Sequence, residues 1–246
     1  MRWEDQFRAL GADDLPAQIR VGDRAMRLES TFKHNSVAAV GLYVDGGERV
    51  VLKCYRRAPF LGFPLAWTGR LMARHEAAVL CHVEGVPGVP AWRGLHGDTG
   101  LLRDYVPGEP LTRRSDVGRQ FIVDLFRMLR ELHGLGVAYV DLEKAENILV
   151  GQDGRPHLID FQVAYHVPER FLGETFPFRW LRGWLQRADL YHARKHMRRL
   201  LGRRIARRRA DRLRRKPWPV RVGNLIRTPY GRLRRWALGR NRCRAC

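Results

Sequence analysis

The stretch YVDLEKAENILV (Tyr139–Val150), followed closely by LIDFQ (Leu158–Gln162), decides how this chain is read. Asn147 stands six places after Asp141, and an aspartate-phenylalanine pair, Asp160-Phe161, comes after a Gln-Asp-Gly turn. Aspartate and asparagine favour turns and caps because their side chains bond the nearby backbone, which is the plain reading of Asp141 and Asn147. The frame around them asks for more. Upstream, DVGRQFIVDLFRMLRELHGLG (116–136) sets Phe121, Ile122, Leu125, Phe126, Leu129 and Leu132 on one face at helical spacing and closes on Gly134 and Gly136. Downstream, the apolar runs NILVG and PHLIDF flank the turn QDGR and read as two short strands.

Toward the N-terminus the chain is rich in β-signals. AMRLESTFK (25–33) and VAAVGLYVDGGERVVLKCYRR (37–57) read as strands, the second as a hairpin in which the glycines of Asp45-Gly46-Gly47 supply the positive φ of a tight turn. TGRLMARHEAAVLCHVE (68–84) predicts a helix carrying Leu71, Ala78, Val79 and Leu80, ended by GVPGVP (85–90). Strands around AWRGLHG and GLLRDYV follow, with HGDTG as their turn. No internal repeat is present.

Apolar residues make up 45% and charged residues 29% of the 246, the composition of a folded chain. No apolar run approaches the ~20 residues that span a bilayer; VAAVGLYV (37–44) is a strand candidate instead. The opening MRWEDQFRALGADD is acidic and lacks an apolar core, so no secretory signal is expected. Four cysteines, Cys54, Cys81, Cys243 and Cys246, are too scattered for a disulfide framework, and the Cys243/Cys246 pair has no second pair of ligands nearby. The expected compartment is the reducing cytoplasm.

Phosphoryl transfer from ATP needs a cation for the phosphates, oxygen donors for Mg2+ and a carboxylate to take the hydroxyl proton. Candidates for each occur here in the order a protein kinase uses. Over residues 26–165 the chain resembles the protein-kinase-like superfamily, and within it the atypical bacterial branch related to RIO kinases and lipopolysaccharide core (Kdo/heptose) kinases. That resemblance implies an α+β, two-lobed fold: a β-rich N-lobe (1–102) with one helix, and a small, mostly helical C-lobe (103–202). It implies Mg2+·ATP as cofactors and a role for each motif. VVLK (50–53) makes Lys53 the phosphate-binding lysine, although alone it reads as an ordinary strand lysine. Glu76 on the following helix pairs with it. LLRDYVPGEPL (101–111) is the hinge, where the backbone of Asp104, Tyr105 and Val106 meets adenine. Asp141 is the base, Lys144 neutralises the transferred phosphate, and Asn147 and Asp160 hold Mg2+.

This sequence also departs from the family. The loop histidine is Tyr139, the Asp-to-Asn spacing is one residue longer than in H-R-D-L-x-x-x-N, and the glycine of D-F-G is Gln162. In place of a glycine-rich lid, KHNSVAAVGLY offers Gly41 alone, with Asn35 and Ser36 as candidate phosphate donors. No A-P-E motif follows Asp160-Phe161, which argues against a long activation segment.

Charge divides the chain. Residues 1–178 carry 22 Lys/Arg and 23 Asp/Glu, whereas 179–246 carry 24 Lys/Arg against Asp189 and Asp211 alone. A polyanion partner is implied for the basic third. Residues 176–216 predict helix with an apolar stripe of Trp180, Leu181, Trp184, Leu185, Leu190, Tyr191, Met197, Leu200, Leu201 and Ile205. Asp211 has arginines at helical spacing. Asp189 has none and is expected to face inward and hold the catalytic loop, as a helix aspartate does in protein kinases. The tail 203–246 mixes arginine with Trp, Tyr and Leu, which suits an anionic membrane surface; RNA is the alternative. The expected function is transfer of the γ-phosphate to a protein Ser/Thr or a membrane glycolipid sugar, peripheral at the inner membrane. A non-catalytic nucleotide-binding scaffold docked to membrane or RNA is the other reading.

Overall fold

The computed structural model describes residues 3–167 and 175–200. The expectations for the tail 203–246, Leu201, Asp211 and the Cys243/Cys246 pair lie outside the described residues. Six antiparallel strands form the N-terminal sheet: β1 (Gln18–Val21), β2 (Arg24–His34), β3 (Ala38–Asp45), β4 (Glu48–Tyr55), β5 (Trp92–His96) and β6 (Gly100–Asp104), ordered β1-β2-β3-β4-β6-β5. Helix α1 (Ala66–His82) crosses between β4 and β5. A second region holds β7 (Gly108–Pro110), α2 (Arg119–Gly134), β8 (Ile148–Gly151), β9 (Pro156–Leu158) and α3 (Phe176–Leu200), with its three strands ordered β7-β8-β9.

Strand β4 organises the first lobe because both of its faces are covered. Val50, Leu52 and Cys54 point outward into a cluster with Leu10, Leu15, Ile19, Met26 and Tyr43. Val51, Lys53 and Tyr55 alternate to the other face, as the two-residue period of a strand requires. The β3–β4 hairpin turns at Gly46 (φ 53) and Gly47 (φ 107), as read from Asp-Gly-Gly. Opposite Leu52 lies Gly41, where a Cβ would stand 2.7 Å from Leu15 Cδ1 and 2.8 Å from Leu28 Cδ1. Its missing side chain therefore admits the N-terminal segment and does not make a lid. That segment, with a 3-10 turn (Trp3–Phe7) and β1, carried no sequence signal because β1 is four residues long with Ile19 alone buried. Strand β7, a Gly-Glu-Pro stretch of poor strand propensity, exists through pairing with β8.

Helix α1 buries Gly69, Ala73, Glu76, Ala77, Val79 and Leu80, while the expected Leu71 and Ala78 face solvent. In α2 the buried face is Phe121, Ile122, Leu125, Met128, Leu129 and Leu132, with Phe126 half-buried at its edge. The buried face of α3 keeps Met197 of the expected stripe, with Leu190 and Leu200 packed against the core, and otherwise differs from it. It is Ala188, Asp189, His192, Ala193, His196 and Met197, and Trp180 is half exposed, stacked on Trp184 at 6.0 Å. Small and hydrogen-bonding residues fit there because α3 lies against both α2 and the loop of Asp141, whose backbone Asp189 and His196 bond.

The position of α1 rests on Gly69, where a Cβ would come 2.0 Å from the Arg56 carbonyl oxygen. Two helical turns further on, on the same face, stands Glu76. Glycine to alanine in a helix ordinarily stabilises by ~1 kcal/mol. Gly69→Ala is expected to do the reverse, costing ~1–3 kcal/mol as the helix is pushed off β4, measured by urea unfolding.

Candidate active site

Glu76 is fully buried, and three groups from two further segments meet it. Lys53 Nζ of β4 lies 2.9 Å from Oε2, the Tyr55 hydroxyl donates to the same oxygen, and the Phe161 amide donates to Oε1 at 3.1 Å. Lys53 also reaches Asp160 Oδ1 at 2.8 Å. The lysine is therefore shared by two carboxylates, one from α1 and one from the loop after β9. Burial alone would drive its pKa down, but Glu76 and Asp160 overcome that and hold it above the ordinary range. For Asp160 burial likewise opposes the charge, and Lys53 still keeps its carboxyl below the ordinary range. Lys53, Glu76 and Asp160, all named from sequence, come together here.

A second buried cation was missed. Arg103 on β6 lies opposite Val51, on the face that carries Lys53, and is 7% exposed. Burial lowers its pKa, opposed by the nearby Glu76 and Asp160 carboxylates. Its Nη1 donates to the Asp104 carbonyl at 3.3 Å, and Nε is buried with no hydrogen-bond partner among the described residues. An arginine directly after Leu101 and Leu102 in the strand run GLLRDYV was the available signal.

The catalytic-loop candidates converge on one oxygen. Lys144 Nζ and Asn147 Nδ2 both donate to Asp141 Oδ2, the latter at 3.0 Å. The extra residue between Asp141 and Asn147 is absorbed by two successive turns, Lys144 N to Asp141 O at 3.3 Å and Asn147 N to Lys144 O at 3.2 Å. Asn147 O accepts from Ile159 N at 3.2 Å, which sets Asp160 beside it. Tyr139 is fully buried and meets Phe161 edge-on at 5.0 Å.

Between them Val140 adopts φ 70, a left-handed conformation that β-branched residues rarely take. The Asp141 amide bonds back to Tyr139 O at 2.9 Å, closing the strained hand of a γ-turn. Asp189 of α3 holds this conformation: its fully buried carboxylate accepts from the Tyr139 and Val140 amides, both at 2.8 Å, and from His133 Nε2 at 3.1 Å. Further along α3, Lys195 pairs with Glu143 at 3.1 Å and His196 Nε2 bonds Leu142 O at 2.8 Å. The inward-facing Asp189 read from sequence is thus one of three anchors, and the other two had no isolated signal.

At the hinge, Asp104 N bonds Ala91 O at 2.9 Å, while Tyr105 donates its amide to Arg49 O at 3.4 Å and lies beneath the Arg49 guanidinium. Val106 is buried, and its N–H has no hydrogen-bond partner among the described residues. A cavity of about 420 Å³ opens beside it, lined by Tyr105, Gly108, Glu109, Ser115, Asp116, Val150 and Gln152. The β2–β3 turn differs from the expectation for a phosphate lid. Asn35 Oδ1 accepts from the Val37 and Ala38 amides at 2.9 and 3.0 Å, and Arg56 holds Ser36 O at 2.9 Å. Asn35 thereby spends its side chain, and two of the turn's donors, on its own turn.

In three-dimensional structure the chain is similar to the Rio2 kinase-ADP/Mg2+-phosphoaspartate complex from Chaetomium thermophilum, with a TM-score of 0.52. The fold is that of the protein kinases. The similarity covers 71% of this chain and 57% of that one at 17% sequence identity, so the chain spans little more than half the length of that kinase. Neither a protein-family model nor a curated protein sequence matches it. Within the kinase-like fold, β4, α1 and the loop after β9 bring Lys53, Glu76 and Asp160 together, and α3 holds the loop of Asp141.

The buried face of α3 has a pH signature. Burial lowers the His192 pKa to about 4, against ~6.5 in an unfolded chain. The neutral ring is favoured in the fold, so its contribution is complete above ~6.5 and is lost as pH falls toward about 4. The midpoint of urea unfolding is expected to fall across that window, and His192→Gln to flatten the slope.

Proposed function

We propose that this chain is a kinase that transfers the γ-phosphoryl group of ATP to a hydroxyl. The observation that carries the reading is the joining of two sets, Lys53 with Glu76 and Asp160 and Asp141 with Lys144 and Asn147, by the Ile159–Asn147 backbone bond that sets Asp160 beside Asn147, in a kinase-like fold. Lys53, aimed by Glu76, holds the α/β-phosphates as a point charge. The Asp104–Val106 backbone meets adenine, and Glu109 and Asp116 in the adjoining cavity offer acceptors to the ribose hydroxyls.

The residues present fit Mg2+. It takes oxygen ligands, one or two from the protein and the rest from phosphate and water. Asp160 Oδ2 and Asn147 Oδ1 carry no hydrogen bond among the described residues, because Lys53 uses the other Asp160 oxygen and Asn147 turns its amide nitrogen to Asp141. When bound, Mg2+ would neutralise charge on the phosphates. The acceptor hydroxyl oxygen bonds the γ-phosphorus, its proton passes to Asp141, and the bond to the β–γ bridging oxygen breaks to leave ADP. Lys144, already at Asp141, would meet the charge on the transferred group.

Residues 161–175 alone separate Asp160 from α3, a short span for gripping an extended peptide. That favours a compact acceptor such as a sugar hydroxyl of a membrane glycolipid over a protein Ser/Thr, and it keeps the lipopolysaccharide-core side of the sequence resemblance in play. The test is transfer from γ-labelled ATP into separated membrane and soluble cell fractions. Asp141→Ala is expected to reduce transfer by ~10²–10⁴-fold, and Asp160→Asn to remove the Mg2+ dependence of nucleotide binding. Wild-type label no higher than Asp141→Ala in every fraction would replace this reading with a nucleotide-binding scaffold.

A further inference from the structure

The face of the N-lobe that carries the β4–α1 connection is apolar where water should meet it. Leu61, Phe63, Trp67 and Leu71 are 55%, 70%, 58% and 62% exposed, within eleven residues of chain. Large apolar side chains standing singly on a surface need no explanation, but four within so short a stretch do.

The group is rigidly built. Phe60 and Phe63 exchange backbone hydrogen bonds at 3.0 and 2.9 Å across a two-residue turn whose central residues, Leu61 (φ 50) and Gly62 (φ 81), are both left-handed. Such turns select Asn-Gly or Asp-Gly, since asparagine and aspartate tolerate that conformation and suit water. Leucine at the first position is unfavourable on both counts. Its base is nevertheless pinned: Phe60 lies under the Arg56 guanidinium at 5.4 Å and edge-on to Phe7 at 5.9 Å, and the Leu61 amide donates to Gln6 Oε1 at 3.1 Å. The fold thus holds an exposed leucine and phenylalanine outward at a cost to the isolated protein.

The charge beside this group indicates what covers it. On α1, Trp67, Arg70, Leu71 and Arg74 recur at the i, i+3, i+4 and i+7 spacing of one helix stripe. Arg70 and Arg74 carry no ion pair among the described residues, whereas Arg57 is matched by Asp13 at 2.8 Å. From Val50 to His75 the chain contains no Asp or Glu. Tryptophan, phenylalanine and leucine interleaved with uncompensated arginine is the chemistry of a group that enters the headgroup boundary of an anionic bilayer.

We propose that Leu61, Phe63, Trp67 and Leu71, with Arg70 and Arg74, dock the N-lobe onto an anionic lipid surface. This site shares no residue with the Lys53–Asp160 and Asp141–Asn147 groups, and it holds whether or not those groups transfer phosphate. The full chain is tested with vesicles of phosphatidylcholine alone and with added phosphatidylglycerol carrying a photoactivatable acyl chain, crosslinked peptides being mapped by mass spectrometry. Acyl adducts are expected within 59–72 on the anionic vesicles. The double variant Phe63→Ser/Trp67→Ser, altered only at exposed positions, is expected to bind them roughly tenfold more weakly at physiological salt. Adducts confined to 176–184 or to 201–246, or an affinity unchanged in the double variant, would overturn the proposal. So would concentration-dependent self-association without lipid, by sedimentation velocity, that the variant abolishes, since a second copy would then be the occupant.

Discussion

A fully buried glutamate sets the terms for the rest of this molecule. Removing the Glu76 charge from water carries an effective penalty of several kcal/mol, recovered only if the carboxylate is completely matched. The matching groups come from β4 (Lys53, Tyr55) and from the loop after β9 (Phe161), so the two lobes and α1 are tied through one group. Lys53 cannot shift without leaving charge unmatched at both Glu76 and Asp160. The same network that steadies the fold therefore fixes where a phosphate would find its cation. Stability and site geometry share one set of atoms.

A parallel arrangement governs the opposite wall. The left-handed Val140 costs the chain energy, and the fold retains it because Asp189 collects two consecutive amides that a strand would point to opposite sides. That strain turns Asp141 back toward Lys144 and Asn147. Helix α3 accordingly buries alanine, histidine and aspartate where an amphipathic helix would bury leucine. Its tryptophans are left near the surface.

Much of this was legible in the chain. The glycine pair of the β3–β4 hairpin and the period of α2 announce themselves through local chemistry, and the order of Asp141, Asn147 and Asp160 through its resemblance to the protein-kinase pattern. Glu76 and Asp189 were legible as carboxylates out of keeping with their neighbours. What escaped depends on contacts far apart in sequence. Strand β1 and Leu10 and Leu15 are recognisable only as a cover for the outer face of β4, and β7 only as a partner for β8. Gly41 looked like the remnant of a lid and proves to be space for Leu15 and Leu28. Asn35 looked like a phosphate donor and is consumed by its own turn. In both, the residue type was right for the function and the surroundings claimed it first.

Arg103 has a consequence for any small molecule aimed at the cleft. A buried guanidinium stands behind the hinge, close to two carboxylates and with one donor unmet. If the cleft binds ATP as proposed, an inhibitor that extends a hydrocarbon group past the purine into that space would meet a permanent cation instead of an apolar wall. It would have to strip the cation's remaining partners or leave it facing grease. A compound bearing an acceptor there, a carboxamide oxygen or a ring nitrogen, would find its partner already in place, and selectivity would follow from an arginine rather than from the size of the pocket.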